Sequence, residues 1–170
     1  MKTIDHFHNL SHYNRSMNEQ LYSICQEIPD SIRKEDKGAF FRSIHGTLNH
    51  LLLVDLIWLT RFQEQPFEFE SLEQELYQDF DILWRERRIT DDEIDNWITS
   101  LTEEQIAAPF KFHSVIKKRD CAYPMGHMVM YFFTHQIHHR GQVTTLIKQV
   151  GYEPGDTDLL WLPGIELPLR

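Results

Sequence analysis

The residues of this chain best suited to chemistry are its histidines, ten in 170 residues. The run His135-Gln136-Ile137-His138-His139-Arg140-Gly141-Gln142 holds three of them. Residues four apart on a helix sit about 40° from each other and one turn apart in height. His135 and His139 can therefore aim two imidazoles at one point, as neighbouring ligands of a tetrahedral or octahedral metal must. His135 with His138 is a competing pair at three-residue spacing, and the two pairs diverge to opposite sides of His135. A polar helix face with hydrogen-bonded histidines would show the same pattern. Two features weigh toward a metal. Tyr131, His135, His139, Gln142 and Leu146 fall on one helix face. His50 lies in the most apolar stretch of the chain, where an isolated imidazole is costly without a partner. His45, nearer the start of that stretch and beside Gly46 and Thr47, competes with His50 for the third position. His6, His8, His12, His113 and His127 have no pairing logic, and ordinary polar contacts account for them.

Such a site needs rigid elements, and the hydrophobic periodicity supplies four. Phe7, Leu10, Met17, Leu21, Ile24 and Ile28 mark a first helix over about 4–28, with Asn14 on the same stripe. Pro29-Asp30-Ser31 ends it. Phe41, Ile44, Leu48, Leu52, Leu59 and Phe62, widened by Leu53, Val54, Ile57 and Trp58, predict a second helix over about 39–62. Leu72, Leu76, Phe80, Leu83, Ile94, Trp97 and Leu101 predict a third over about 71–101, its other positions mostly acidic and solvated. Thr90-Asp91-Asp92-Glu93 has the form of a capping box that restarts a helix, with a kink there. Thr102-Glu103-Glu104-Gln105 has the same form and opens an extra turn. From Pro109 to Tyr123, Phe110, Phe112 and then Val115 with Ile116 around a Lys117–Asp120 turn suggest a short hairpin or irregular connection. Pro124 opens a final helix that Gly151 stops. The tail, 152–170, is broken by prolines and glycines, and its apolar cluster Leu159-Leu160-Trp161-Leu162 predicts packing along the bundle or a partner subunit. The expected fold is all-α: one domain over 1–170, a four-helix bundle with a short hairpin before the last helix.

Composition narrows the function. Apolar residues make up 41% and charged residues 25%, an ordinary globular balance. The net charge is −9, and 14 of the 26 acids lie between Glu64 and Glu104 against only Arg85, Arg87 and Arg88. A negative field of that size repels phosphate backbones, so no nucleic-acid partner is expected. Two cysteines, Cys25 and Cys121, carry no spacing signal and read as reduced thiols. Met1–His12 is polar, unlike a signal peptide, so a cytoplasmic location is expected. The run Leu51–Leu59 contains Asp55 and is too short to span a bilayer, so no membrane association is expected.

Tyr13-Asn14-Arg15 with Asn18, then the stretch Gly38 to Leu52, the run His135 to Gln142 and the tail Gly151 to Leu160 resemble the signatures of the DinB (damage-inducible) family. The resemblance is spread over nearly the whole chain. It implies a four-helix bundle, often dimeric, with a three-histidine metal site opening into a pocket. The family's ligands fall on His50, His135 and His139, and the acid of its helix-two signature on Asp55, followed here by Trp58. The metal implied is one divalent transition ion, zinc or nickel, with water in its remaining positions.

Three neutral imidazoles leave an ion its full charge and an open position, which suits catalysis better than structure. Such an ion lowers the pKa of a coordinated water or thiol. The first case gives a hydrolase. The second, with a low-molecular-weight thiol as cofactor, gives a thiol S-transferase, the activity class the resemblance implies. Either would act on a small-molecule substrate. No residue reads as a general base. Asp55 is expected to be paired, either orienting a ligand imidazole or meeting an arginine or a backbone amide. Asn14 and Asn18 line the pocket or bond across the bundle. Tyr13, Trp58 and Tyr131 are candidates for the pocket wall, and Arg140 is expected to point outward to an acid. The rivals are a metal-stabilised bundle that binds or dimerises without turnover, and a bundle with no metal at all.

Overall fold

The structure, a computed structural model, describes residues 2–114, 117–162 and 164. Four long helices form the frame: α1 (Thr3–Glu27), α3 (Ile44–Phe62), α4 (Phe80–Ser100) and α6 (Met125–Gln149). Two short helices, α2 (Asp30–Arg33) and α5 (Glu103–Ala107), and a hairpin of β1 (Pro109–Ser114) and β2 (Arg119–Pro124) connect them. Helix α1 packs on α4 and α6, and α3 packs on the same two, so α1 and α3 face each other diagonally across the bundle. The apolar core fills the length between them, from Phe7, Trp97 and Phe132 at one end to Leu21, Leu52 and Val143 at the other.

Local chemistry sets most boundaries. Ile28 turns extended (φ −83°, ψ 127°) because it precedes Pro29. Helix α3 starts at Ile44, five residues later than its apolar pattern suggests. Ser43 caps it by accepting a hydrogen bond from Gly46 N at 2.9 Å, and Ala39–Arg42 closes a tight turn in which Arg42 takes φ +66°. A Cβ at position 46 would lie 2.3 Å from the Phe41 carbonyl oxygen, so only glycine lets that turn sit against the helix.

The expected third helix is shorter than its pattern. Residues 71–79 are irregular, and α4 begins at Phe80 behind Asp79, whose side chain accepts from Ile82 N. Helix α3 holds that loop through its backbone. Asn49 Oδ1 accepts from Tyr77 N at 2.9 Å, and the Asn49 amide and His45 Nε2 both meet Tyr77 O. Those bonds outweigh a helical apolar spacing with little to bury. No restart occurs at Thr90, because Asp91 is buried inside a continuous α4 with an ion-pair partner of its own. The Thr102 capping box does form, as does the hairpin, in the register Phe112↔Cys121. Val115 and Ile116 lie outside the described residues. Gly151, at φ +91°, ends the last helix region. The tail then runs along α1, where Tyr13 donates to Thr157 O and Gln20 to Pro154 O and Asp156 O. Leu162 is buried with Tyr13 and Met17, while Leu160 and Trp161 stay exposed. No helix among the described residues is long and apolar enough to cross a membrane.

Candidate metal centre

Helix α3 delivers His50 to the bundle interior, and α6 delivers His135 and His139 one turn apart. One nitrogen from each ring lies within 4.8 Å of the other two. His135 Nε2 and His139 Nε2 are 3.1 Å apart. Ligands at about 2.1 Å from a tetrahedral ion are separated by about 3.4 Å, so the α6 pair already has the spacing of adjacent ligands. The hydrogen bonds outside the cluster fix which nitrogens are free. His50 Nδ1 donates to Leu72 O at 2.9 Å, leaving the Nε2 lone pair to the interior. His139 Nδ1 donates to Gln142 Oε1 at 2.8 Å, leaving its Nε2 free as well. His50 Nε2 is buried and has no hydrogen-bond partner, and neither has His135 Nδ1. A divalent cation satisfies the orphaned Nε2 and the facing pair together. The donor set fits.

Burial drives all three imidazoles toward the neutral, ligand-competent form. It lowers His50 to about 4 and His135 to about 3, and it also lowers His139. An unfolded histidine titrates near 6.5, so between that pH and about 4 the unfolded chain binds more protons. The stability present above pH 6.5 is then lost as the pH falls toward the folded values. Metal-free chain should therefore show a denaturation midpoint that drops from pH 7 to pH 4. In His50→Phe and His135→Phe that slope should flatten, and an unchanged slope in both would mean that these rings are not held neutral.

Phe41 covers one flank of the site. Its ring stacks on His50 at 3.7 Å between centroids and meets His139 edge-on at 5.5 Å. His50 and His135 also line a cavity of about 280 Å³ walled by Trp58, Tyr131 and Phe112. Trp58 and Tyr131 thus stand where a pocket wall was expected, whereas Tyr13 faces the tail. His45 and His138 take no part: His45 is bonded to the Tyr77 carbonyl, and His138 meets the outer side of Gln142.

The structure decides between the two roles open to Asp55 and to Asn14, and it corrects the expectation for Arg140. Asp55 orients no imidazole; it accepts from Arg87 Nη1 at 2.6 Å and from Gln136. Asn14 is not in the metal pocket. It donates to Asp91 and accepts from Arg140. Arg140 points inward, buried, with Asn14 and Asn18 as partners. These residues join Arg87, whose Nη2 lies 2.9 Å from Asp91 Oδ1, in one buried network of two acids and two arginines. Burial raises the Asp55 carboxyl, opposed by the Arg87 guanidinium. The network ties α1, α3, α4 and α6 together, which holds the ligand-bearing helices in register. Arg61 in the cavity and Phe41 on His50 were missed. Arg61 was accessible to a helical projection, being eleven residues from His50 on the same face.

The sequence model of the DinB family matches residues 1–167. The chain belongs to the DinB family. Protein DinB of Bacillus subtilis (strain 168) is 26% identical over 164 residues, covering 88% of each chain. A DinB-like protein from Bacillus cereus ATCC 10987, known from its crystal structure, superposes with a TM-score of 0.60 at 16% identity, over 82% of this chain and 89% of that one. That likeness concerns the fold alone. The DinB bundle seen here is thus shared, and the histidine cluster sits between its α3 and α6.

Proposed function

We propose that this DinB-family chain is a metal-dependent enzyme of the thiol S-transferase or hydrolase type, with His50, His135 and His139 holding one zinc or nickel ion. The observation that supports it best is the cavity. It touches two of the three imidazoles and is walled by aromatic side chains, so a small molecule can reach the site. Bound there, the ion would supply Lewis acidity and an open position for a low-molecular-weight thiol or for water. The chain's own residues supply the rest. Leu72 O and Gln142 fix the tautomers of His50 and His139, Phe41 shields one flank from solvent, and Trp58 and Tyr131 give the reacting molecule an apolar wall.

The test is turnover with and without metal. Zinc- or nickel-loaded chain should accelerate displacement of chloride from monochlorobimane by cysteine or another small thiol, or hydrolysis of an activated ester. The rate should vanish on chelation and in His139→Ala. One equivalent of bound metal with no metal-dependent rate in either assay would leave the rival reading, a metal-stabilised binding or dimerisation module. A specific observation favours that rival. A groove of about 530 Å³ between the N-terminal ends of α1 and α6, lined by none of the three clustered histidines, leaves Met130 and Leu159 exposed and would suit a second copy in a homodimer.

A further inference from the structure

One wall of the cavity carries a cation that the metal reading leaves without a role. His50, Val54, Ile57, Trp58 and Arg61 of α3 all line it, at the spacing of one helix face. Arg61 lies eleven residues beyond His50, about 16 Å along the axis. A long helical side chain leans back toward the helix N-terminus, here toward His50, and the guanidinium carbon rests 5.0 Å from the Trp58 ring centroid.

Its pairing sets Arg61 apart from every other arginine among the described residues except Arg119, which is exposed to solvent. The buried arginines are all bonded: Arg33 to Cys25 O and Ile28 O, Arg87 to Asp55, and Arg140 to Asn14 and Asn18. On the surface, Arg15, Arg42, Arg85 and Arg88 each meet a carboxylate. Among the described residues the half-buried Arg61 side chain has neither an ion pair nor a hydrogen bond, in a chain of net charge −9. Burial lowers its pKa, yet a guanidinium stays charged at neutral pH. A partly desolvated cation that rests on an indole and has no protein anion beside it is available to bind one.

We infer that Arg61 binds a carboxylate of the substrate, so that the pocket takes a small organic acid whose apolar or aromatic body lies against Trp58, Phe112 and Tyr131, with its reacting end toward the three histidines. This rests on the reading of the cavity as a substrate pocket. The planar guanidinium fork matches a carboxylate. One cation also matches one negative charge, whereas a phosphate dianion would meet the acidic field of the whole chain with a single counter-charge. A cavity of about 280 Å³ lies just below the usual span of ligand pockets, about 300–1,000 Å³, and so suits only a small molecule.

The test is a two-by-two comparison on the full chain as purified, repeated after chelator treatment. Hydrocinnamate and its neutral amide, hydrocinnamamide, are titrated into wild type and Arg61→Gln, following the Trp58 indole N–H resonance by NMR. Wild type should bind the acid about tenfold or more tightly than the amide. Arg61→Gln should lose that discrimination and leave amide binding within about twofold, and Arg61→Lys should restore part of it. Equal affinities in wild type, discrimination that survives in Arg61→Gln, binding of neither probe, or tighter binding of benzyl phosphate than of hydrocinnamate would each overturn the carboxylate assignment. The two readings fail separately. A chain that takes up no metal still answers the Arg61 question, and a fully metal-loaded chain with no acid preference sinks only the anion pocket.

Discussion

Arg87→Met is expected to destabilise the protein by about 3–5 kcal/mol, the cost of breaking a buried pair while leaving its partner charge behind. Arg87 is 1% exposed and Asp55 is fully buried, with 2.6 Å between them. Removing the guanidinium strands Asp55 and Asp91 together in the bundle centre. For a domain of this length each kcal/mol moves the melting temperature by about 2–4 °C, so thermal unfolding should begin roughly 6–20 °C lower. Asp55→Leu added to Arg87→Met should recover part of the loss, because Asp91 alone is then left without its guanidinium. A single-variant loss below about 1 kcal/mol would mean that water reaches the pair and the network is not a closed one. Asp55→Asn adds a second contrast. It should lower stability and leave zinc affinity nearly unchanged, since Asp55 touches Arg87 and Gln136 and none of the three imidazoles.

The second large effect concerns the metal. His50→Ala, His135→Ala and His139→Ala should each weaken zinc binding by more than the roughly 10–100-fold that losing an outer hydrogen-bond partner of a ligand costs. His45→Ala and His138→Ala should leave it intact, because those rings point to Tyr77 O and Gln142. The measurements are metal content by mass spectrometry on chain purified without a histidine tag, and competition titration with a chromophoric chelator. Free zinc at one hundred times its Kd should raise the stability of the wild type by about 2.7 kcal/mol and leave the three variants where they are. An empty wild type that also refuses added zinc and nickel would remove the three-histidine site and leave only the bundle.

Much of this was legible along the chain. The stripes of α1, α3 and α6 are strong because each buries a continuous face, and the four-residue spacing of His135 and His139 is a statement about helix geometry before any fold is known. The Thr102 box and the hairpin followed from turn and cap chemistry of a few residues. Segment 71–79 misled for a physical reason. Its apolar residues have helical spacing, but Asn49, His45 and His50 on α3 bind the backbone of that loop, and nothing local signals a bond formed 22 to 32 residues away. Asp55, Asn14 and Arg140 are the same lesson in polar form. Asp55 and Asn14 stood out as polar groups on apolar faces, which said that each must be paired and could not say with what, while Arg140 read as a residue facing outward. Only the packing of four helices joined them to Arg87 and Asp91, and separated them from the imidazoles. The choice of His50 over His45 is of this kind too. From its place in the most apolar stretch His50 led, with His45 as a rival the residues did not exclude, and the family resemblance favoured His50. The tertiary structure then placed the Nε2 of His50 in the interior beside α6, while giving His45 a carbonyl partner elsewhere. Sequence determined which residues needed partners; the fold decided the partners, because pairing depends on distances between helices that no single helix encodes.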